Sequence, residues 1–246
     1  METVFRKTYE IEPIHTDCLG RVKPSVLLYF AQEAAAGHCN LLRLDWETLN
    51  RRNLFWAVVR THTEINRLPR LGEKITVETW PMPTTRTAYP RAIAMLDENG
   101  AELVRILSLW VLMDTQTRAM VLPQKSGVEV NGLMRGNELA VPASLLPTTG
   151  ESITYRRVGY TELDRNGHMN NTRYLDWVAD LLPAEFHKNH SVGKFTVCYL
   201  SEAKEGEEIR LNSHLSDGPC LQVDGFRQSP NPEEKPQRIF SVQMVF

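Results

Sequence analysis

The segment from Asp164 to Tyr174, D-R-N-G-H-M-N-N-T-R-Y, concentrates side chains that can do acid–base chemistry. If its first half is extended, side chains alternate between two faces, and Asp164, Asn166 and His168 point the same way. An acid, an amide and an imidazole would then share one surface. A helix is expected to begin immediately afterwards, and its unpaired N–H groups can hold an oxyanion.

This set of groups favours hydrolysis. A carboxylate can activate water, and an imidazole with a pKa near ~6.5 exchanges protons at neutral pH. A thioester is a suitable substrate, because its thiolate leaving group derives from an acid of pKa about 8.5 and needs little help to depart. The sequence contains neither G-x-S-x-G nor H-E-x-x-H, the signatures of two other kinds of hydrolytic site.

A helix-capping turn explains the same composition, since Asp, Asn and Gly are common in loops before helices. An internal repeat helps to separate the two interpretations. The segment D-C-L-G-R-V-K-P, residues 17–24, aligns with residues 164–171, and only the Asp and the Gly are identical. A turn alone needs only those two residues. Asn166, His168, Asn170 and Asn171 are therefore the candidates for an added chemical role.

Each copy of this loop follows a strand-like run and precedes an apolar run with helical composition. The expected strands are Phe5–Ile11, Leu54–Ile65, Lys74–Trp80, Ala88–Leu96 and Glu102–Met113 in the first half, and Ile153–Tyr160, Gly193–Leu200, Glu207–Leu215, Cys220–Arg227 and Arg238–Phe246 in the second. The first helix starts near Pro24 and is apolar on nearly every side, so it must be wrapped by other elements. The second is expected to have Asn170 or Asn171 as its N-cap.

The pattern therefore predicts an α+β protein in which each half is a curved antiparallel sheet wrapped around a central helix. Residues 115–152 lack a sustained period and are expected to connect the two halves.

Composition excludes several classes of protein. Hydrophobic residues make up 42% of the 246-residue chain and the net charge is −2, so nothing indicates a nucleic-acid partner. The four cysteines are far apart, which is typical of reduced thiols rather than of disulfides or a zinc site. No window reaches the ~20 apolar residues of a membrane span, and no apolar leader is evident. We therefore expect a cytoplasmic protein.

The motif D-x-N-x-H-x-N-N-x-x-Y resembles the signature of the fatty acyl-acyl-carrier-protein (acyl-ACP) thioesterases, a family with a hotdog fold. Segments of the first half are similar to that family in order and spacing. They are W-A-V-V-R (56–60), E-I-N-R-L-P-R-L-G-E (64–73), V-E-T-W (77–80) and S-L-W-V-L-M-D-T-Q-T-R (108–118). Nearly the whole chain is covered by the resemblance.

The resemblance implies two tandem hotdog domains, an acyl-binding domain at 1–114 and a catalytic domain at 153–246, joined by the connector at 115–152. It implies hydrolysis of the fatty acyl-ACP thioester, which releases a free fatty acid and ends chain elongation. No metal and no organic cofactor are expected. The implied catalytic residues are Asp164, Asn166, His168 and Glu202, the last within Y-L-S-E-A-K.

One position departs from the family. Members often carry Cys directly after the Glu, whereas this chain has Ala203. Cysteine catalysis cannot operate through that position. We therefore favour attack by water with Asp164 or Glu202 as the base, or a transient acyl anhydride on a carboxylate. Cys198 is expected to be a packed strand cysteine.

The resemblance also implies which residues meet the substrate. In the first half, a tunnel beside the buried helix could be lined by Leu27, Phe30, Ala34, Trp56 and Val58, although core packing explains these residues equally well. In the second half, substrate contacts are expected from Asn170, Asn171 and Tyr174.

The expected partner is the acidic acyl-carrier protein, which calls for a local basic patch on a nearly neutral chain. The candidates are the pairs Arg51 and Arg52, Arg86 and Arg91, and Arg156 and Arg157. The sequence leaves the oligomeric state open, a homodimer included.

Two other functions are compatible with the same fold. One is an acyl-CoA thioesterase with the same chemistry. The other is a non-catalytic module that senses acyl groups, and the presence of Asp164, Asn166 and His168 together argues against it.

Overall fold

A computed structural model describes residues 3–148, 150, 152–228 and 235–246. The chain forms two compact units, Met1–Pro142 and Ala143–Phe246. Residues 149 and 151 of the expected connector lie outside the described residues. Among the described residues, none of the helices is both long and apolar enough to cross a membrane.

The first unit is an antiparallel sheet with one long helix. Its elements are β1 (Phe5–Glu10), α1 (Pro24–Leu41), α2 (Trp46–Asn50), β2 (Leu54–Ile65), β3 (Lys74–Pro81), β4 (Tyr89–Leu96), β5 (Glu102–Asp114), β6 (Met120–Val121) and α3 (Pro123–Ser126). The strand order is β1-β3-β4-β5-β2, and β6 pairs with β5.

The second unit repeats this plan. Its elements are β7 (Ser152–Arg157), α4 (Arg173–Ala179), α5 (Ala184–Asn189), β8 (Lys194–Tyr199), β9 (Glu208–Ser216), β10 (Cys220–Arg227) and β11 (Gln237–Val245). The strand order is β7-β9-β10-β11-β8, the order of the first unit with each strand replaced by its counterpart. The predicted α+β class, with an antiparallel sheet and a central helix in each half, is confirmed. The domain limits at 114 and 153 stay predictions.

Helix α1 is buried because apolar side chains surround it. Pro24 occupies its first turn, where a missing N–H costs nothing. Leu27, Phe30 and Ala34 are fully buried. A Cβ at Gly37 would lie 2.7 Å from the Phe5 ring, so the absence of a side chain there lets β1 approach the helix.

The start of the second helix differs from the prediction. Its N-cap is Thr172 rather than Asn170 or Asn171. The reason is local, because the Asn170 side-chain oxygen accepts hydrogen bonds from the Thr172 N–H and hydroxyl at 2.9 and 2.8 Å. This turn delays the first helical residue to Arg173.

Residues 128–142, here called the strap, lie over the sheet of the first unit. Leu133 and Leu139 pack against a buried cluster of Trp80, Met82, Ala92, Ala94 and Leu107. The Leu133 N–H donates to the Pro81 carbonyl at 2.8 Å. Arg135 stacks over the Trp80 ring and pairs with the buried carboxylate of Glu78 at 2.6 Å. The strap is thus part of the folded unit.

We expect Gly132→Ala to destabilise the protein, because the strap passes close to the backbone after β3. A Cβ at Gly132 would lie 2.2 Å from the Pro83 nitrogen and 2.4 Å from the Met82 carbonyl carbon. The strap must shift, which should lower the free energy of unfolding by about 1–3 kcal/mol. Urea denaturation measures this loss. Gly218→Ala is the matched control, since an added Cβ there meets nothing within 4 Å. Equal stability of the two variants would contradict the close approach.

Candidate active site

The loop that carries His168 is a tight turn closed by Asp164. The Asp164 Oδ1 accepts hydrogen bonds from the backbone N–H groups of Asn166 at 2.7 Å and His168 at 3.4 Å. The Asp164 N–H donates to the His168 carbonyl at 2.8 Å. Gly167 has φ 75°, a left-handed conformation that favours glycine. The aspartate and the glycine therefore shape the loop, as the repeat predicts.

The expectation that Asp164, Asn166 and His168 share one face of a strand is wrong. The strand β7 ends at Arg157, and a 3-10 turn at Tyr160–Glu162 precedes the loop. The Asp164 side chain bonds the backbone within the loop, which turns the chain back on itself. Asn166 consequently lies exposed at the tip of the turn.

His168 and Glu202 form the candidate catalytic pair. The His168 Nε2 lies 3.2 Å from the Glu202 Oε2, with the two side chains 15% and 42% exposed. The Met169 N–H donates to the Ala203 carbonyl at 2.8 Å, which fixes the loop beside the segment that carries the glutamate. The Arg227 guanidinium donates to the Glu202 carbonyl and holds that segment from β10.

This arrangement sets the chemistry of the imidazole. A carboxylate accepts hydrogen bonds, so Glu202 favours the tautomer of His168 with its proton on Nε2. Nδ1 then carries the lone pair. In the part of the chain that the structure describes, Nδ1 has no hydrogen-bond partner. His168 can therefore take a proton at Nδ1 while Glu202 stabilises the imidazolium, a base with its own orienting group.

The first unit contains the same backbone without these side chains. The Asp17 Oδ1 accepts from the Leu19 and Arg21 N–H groups at 2.8 and 3.0 Å, and Gly20 has φ 70°. The Val22 N–H donates to the Pro69 carbonyl at 2.8 Å, as Met169 does to Ala203. Arg21 stands in place of His168, and its guanidinium bonds the Asp17 carboxylate. Since this pairing makes Pro69 the counterpart of Ala203, Leu68 stands in place of Glu202.

The two aspartates differ in their second oxygen. In the first unit, Arg21 occupies the Asp17 Oδ2 at 3.0 and 3.1 Å. For the Asp164 Oδ2, the described residues provide no hydrogen-bond or ion-pair partner. The repeat thus assigns Oδ1 of both residues to the turn. It leaves Oδ2 of Asp164 available to a substrate or to water.

The structure places Asn170, Asn171 and Tyr174 in supporting positions. Asn170 caps the turn before α4, and the Asn171 carbonyl accepts a hydrogen bond from the Tyr199 hydroxyl at 3.0 Å. Tyr174 is 2% exposed and packs against Phe240 with ring centroids 4.6 Å apart. Burial raises the pKa of the Tyr174 phenol well above its usual range. Their predicted substrate contacts stay untested.

Glu162 is a supporting residue that the sequence did not reveal. Its carboxylate accepts from the Trp177 Nε1 at 2.6 Å and from the Gly159 N–H at 2.8 Å. It thereby ties the 3-10 turn before the His168 loop to the helix after it. Its position, three residues after Gly159, is the capping pattern that could have identified it.

Of the acyl-binding residues predicted in the first half, Leu27, Phe30, Ala34 and Val58 are buried and Trp56 is half-buried. A narrow crevice of about 10 Å3, room for roughly one water molecule, is lined by Leu28, Ala31, Gln32, Ala35, Val58, Thr61, Ile93, Ile106, Ser108 and Trp110. Val58 alone of the predicted set is among them. Phe30 instead packs against Tyr9, with the two ring centroids 4.4 Å apart. Trp56 donates its Nε1–H to the Leu44 carbonyl at 3.0 Å.

Burial and ion pairing reduce the number of arginines that could form the predicted basic patch. Arg91 is 7% exposed and contacts His38 and Thr79, so it cannot meet a partner at the surface. Arg156 pairs with Asp180, and Arg52 donates to the Ser126 carbonyl. Cys198 is 2% exposed, as expected of a packed strand cysteine. Within the described ranges, no cluster of three or more His, Cys, Asp or Glu side chains could hold a metal ion.

Comparison with known proteins identifies the family. Residues 2–125 match the acyl-ACP thioesterase N-terminal domain, and residues 147–237 match the acyl-ACP thioesterase C-terminal domain. The chain belongs to the acyl-ACP thioesterase family. The resemblance inferred from the motif is therefore confirmed.

Two curated relatives show the extent of the similarity. The chain is 26% identical over 233 residues to a chloroplastic dodecanoyl-[acyl-carrier-protein] hydrolase of Cinnamomum camphora, a match that covers 87% of this chain and 60% of the relative. It is 24% identical over 230 residues to a chloroplastic palmitoyl-acyl carrier protein thioesterase of Gossypium hirsutum, covering 87% and 55%. The chain thus spans somewhat more than half the length of these relatives.

Solved structures share the fold over the full length. An acyl-ACP thioesterase from Bacteroides thetaiotaomicron is 23% identical with a TM-score of 0.88, covering 99% of this chain and 97% of that chain. A 12:0-ACP thioesterase from Umbellularia californica is 23% identical with a TM-score of 0.83, covering 100% and 97%. The tandem hotdog fold predicted from the sequence is confirmed.

Proposed function

We propose that this acyl-ACP thioesterase family member hydrolyses the thioester of fatty acyl-ACP, releasing a free fatty acid and ending chain elongation. The observation that carries the proposal is the His168–Glu202 pair at 3.2 Å on a loop whose first-unit copy has Arg21 and Leu68 instead. Membership of the family supports the substrate class.

The proposed reaction uses water as the nucleophile. In this proposal His168, rather than Asp164 or Glu202 as favoured from the sequence, is the base, because Glu202 is engaged by the imidazole at 3.2 Å. His168 accepts a proton from water at Nδ1 while Glu202 holds the proton on Nε2, and the water oxygen bonds to the acyl carbonyl carbon. The carbon–sulfur bond of the tetrahedral intermediate then breaks. The departing thiolate takes the proton from the His168 imidazolium, so the products are a carboxylic acid and the carrier thiol.

Asp164 and Asn166 complete the proposed catalytic set. The Asp164 carboxylate accepts a hydrogen bond from the His168 backbone N–H, and its charge can stabilise the positive charge that develops nearby in the transition state. Asn166 offers an exposed amide at the tip of the same turn, where it can orient the carbonyl or the water. A transient anhydride on Asp164 is the alternative route, because its Oδ2 is the available carboxylate oxygen.

We place the acyl chain in the crevice between α1 and the sheet of the first unit. Val58, Ile93 and Ile106 give this crevice an apolar lining. Its present volume admits no alkyl chain, so α1 or its neighbours must move apart when the substrate enters. The acyl-chain length that the protein prefers is then set by the depth of the cavity that this movement creates.

The cytoplasmic location and a homodimer stay predictions from the sequence.

Kinetics with matched carriers tests the proposed function. We expect kcat/KM on a fatty acyl-ACP to exceed that on the same acyl group attached to CoA by at least about tenfold, because only the carrier offers an extended protein surface with both acidic and apolar side chains for recognition. A decisive preference for CoA would instead identify an acyl-CoA thioesterase. Tight acyl binding without hydrolysis of either thioester would favour an acyl-sensing module.

A further inference from the structure

The first unit retains the backbone of the catalytic loop but presents a different surface. Four of the positions that differ between the two units are relevant here. Arg21, Lys23, Leu68 and Arg70 of the first unit correspond to His168, Asn170, Glu202 and Lys204 of the second, in that order. The pairing of the two loops is the same in both units, since residues 21 and 70 form an isolated bridge in the first and residues 168 and 204 in the second. Only the side chains have diverged.

The cations of the first unit share one face of its loop. Val22 is fully buried, so its neighbours Arg21 and Lys23 point to the opposite side. Arg70 lies across the bridge from Arg21 and therefore on the same face. We call the surface formed by Arg21, Lys23 and Arg70 the first-unit basic face.

The three cations differ in their side-chain pairing, and the Glu73 carboxylate, which pairs with Arg67, accepts a hydrogen bond from the Arg70 backbone N–H at 3.1 Å. Arg21 pairs with Asp17. Lys23 and Arg70 make no ion pair with any residue that the structure describes, and Arg70 is exposed. At the corresponding positions the second unit has His168, Asn170 and Lys204, so it retains one permanent cation where the first unit has three.

Exposed apolar side chains adjoin the first-unit basic face. Leu71 is 51% exposed, and its N–H donates to the Gly20 carbonyl at 3.0 Å, which places it beside the loop. Ile14 is 75% exposed three residues before Asp17. Cations next to exposed apolar side chains are typical of surfaces that bind another protein.

We propose that the first-unit basic face is the docking surface for the acyl-carrier protein. The proposal rests on the proposed function, which supplies an acidic carrier as the partner. Lys23 and Arg70 would pair with carboxylates of the carrier, and Leu71 and Ile14 would cover its apolar side chains. The internal repeat thus has two uses, one copy of the loop for chemistry and the other for recognition.

The double variant Lys23→Glu with Arg70→Glu tests this proposal. Fluorescence anisotropy with labelled carrier protein, bearing phosphopantetheine but no acyl chain, should show a Kd increased by at least about tenfold at low salt. KM for acyl-ACP should rise in parallel. Hydrolysis of a carrier-free acyl-N-acetylcysteamine thioester should keep its wild-type rate, because neither residue belongs to the catalytic set.

Two further variants sharpen the result. Lys125→Glu is the matched control, an exposed lysine of α3 outside the face, and it should leave the Kd unchanged. Arg70→Lys should retain most of the affinity, since it keeps the charge. An unchanged Kd in the double variant overturns the docking proposal. An equal loss of carrier-free hydrolysis also overturns it, because the residues would then serve the fold or the chemistry.

The failure of the proposed function has a different signature. Wild-type protein that binds no carrier and hydrolyses no acyl-ACP would refute the function itself. Normal acyl-ACP hydrolysis with an unaffected double variant refutes only the docking surface.

Discussion

His168→Ala lowers kcat on acyl-ACP by at least ~100-fold while the protein remains folded, because the variant loses the group that takes the proton from water. The loss falls on kcat rather than on KM, since His168 is proposed to act in the chemical step. Steady-state release of carrier thiol measures the rate, and the melting temperature reports the fold.

The control for this variant is Cys198→Ala. The Cys198 thiol is buried in the second unit and has no place in the proposed reaction, so turnover should be nearly unchanged. A His168→Ala variant with a near-normal rate would remove the residue from the catalytic set. A large loss of kcat in the cysteine variant, with the fold intact, would revive thiol catalysis.

Asp164→Asn is expected to lower kcat by at least ~100-fold as well. An asparagine side-chain oxygen can still accept the N–H groups of Asn166 and His168, so the turn survives and only the charge is lost. The measurement is kcat with circular dichroism as the check on the fold. This substitution therefore separates the structural role of Oδ1 from the chemical role of the carboxylate.

The internal repeat provides the matched control, Asp17→Asn. The same exchange there keeps the turn and removes the ion pair with Arg21, which is largely a matter of stability worth about 1 kcal/mol or less. Turnover should hold within about twofold of wild type. If both asparagine variants behave alike and retain turnover, Asp164 is only a turn residue. If Asp17→Asn alone abolishes turnover at unchanged melting temperature, the first-unit loop has a catalytic role.

Much of the fold could be predicted from the sequence because its signals are local and repeated. Strands such as Leu54–Ile65 and Cys220–Arg227 have the bounds expected from apolar runs between turn residues. The strand order could not be read in this way, since pairing partners are set by contacts distant in the chain. The repeat of the loop nevertheless indicated two copies of one fold.

The sequence predicts the candidate site as a set of residues but not as a geometry. Alternation along a strand was the wrong rule for Asp164 and His168, because the aspartate side chain turns the chain within the loop. The contact between His168 and Glu202 joins residues 34 positions apart, and only the family resemblance singled out the glutamate. Spacing alone carries no information about such a pairing.

The acyl-binding residues show a different limit. Helix α1 is apolar on nearly all sides, so its sequence has no polar face. The periodicity of its residues therefore does not indicate which face lines a cavity. The sequence suggested Leu27, Phe30 and Ala34, whereas the crevice is lined by Leu28, Ala31 and Ala35 of the adjacent face. Packing against β1 decides between them, as the contact of Phe30 with Tyr9 shows.

In the proposed function the His168–Glu202 pair hydrolyses a carrier-bound fatty acyl thioester. The most direct test incubates the purified protein with a series of acyl-ACP substrates of increasing chain length and identifies the released acids by mass spectrometry, with His168→Ala prepared and assayed alongside. We expect the wild type to release free fatty acid from at least one chain length, and the variant to do so at a rate at least ~100-fold lower. Release of no fatty acid by the wild type, or equal release by both proteins, would contradict the proposed function.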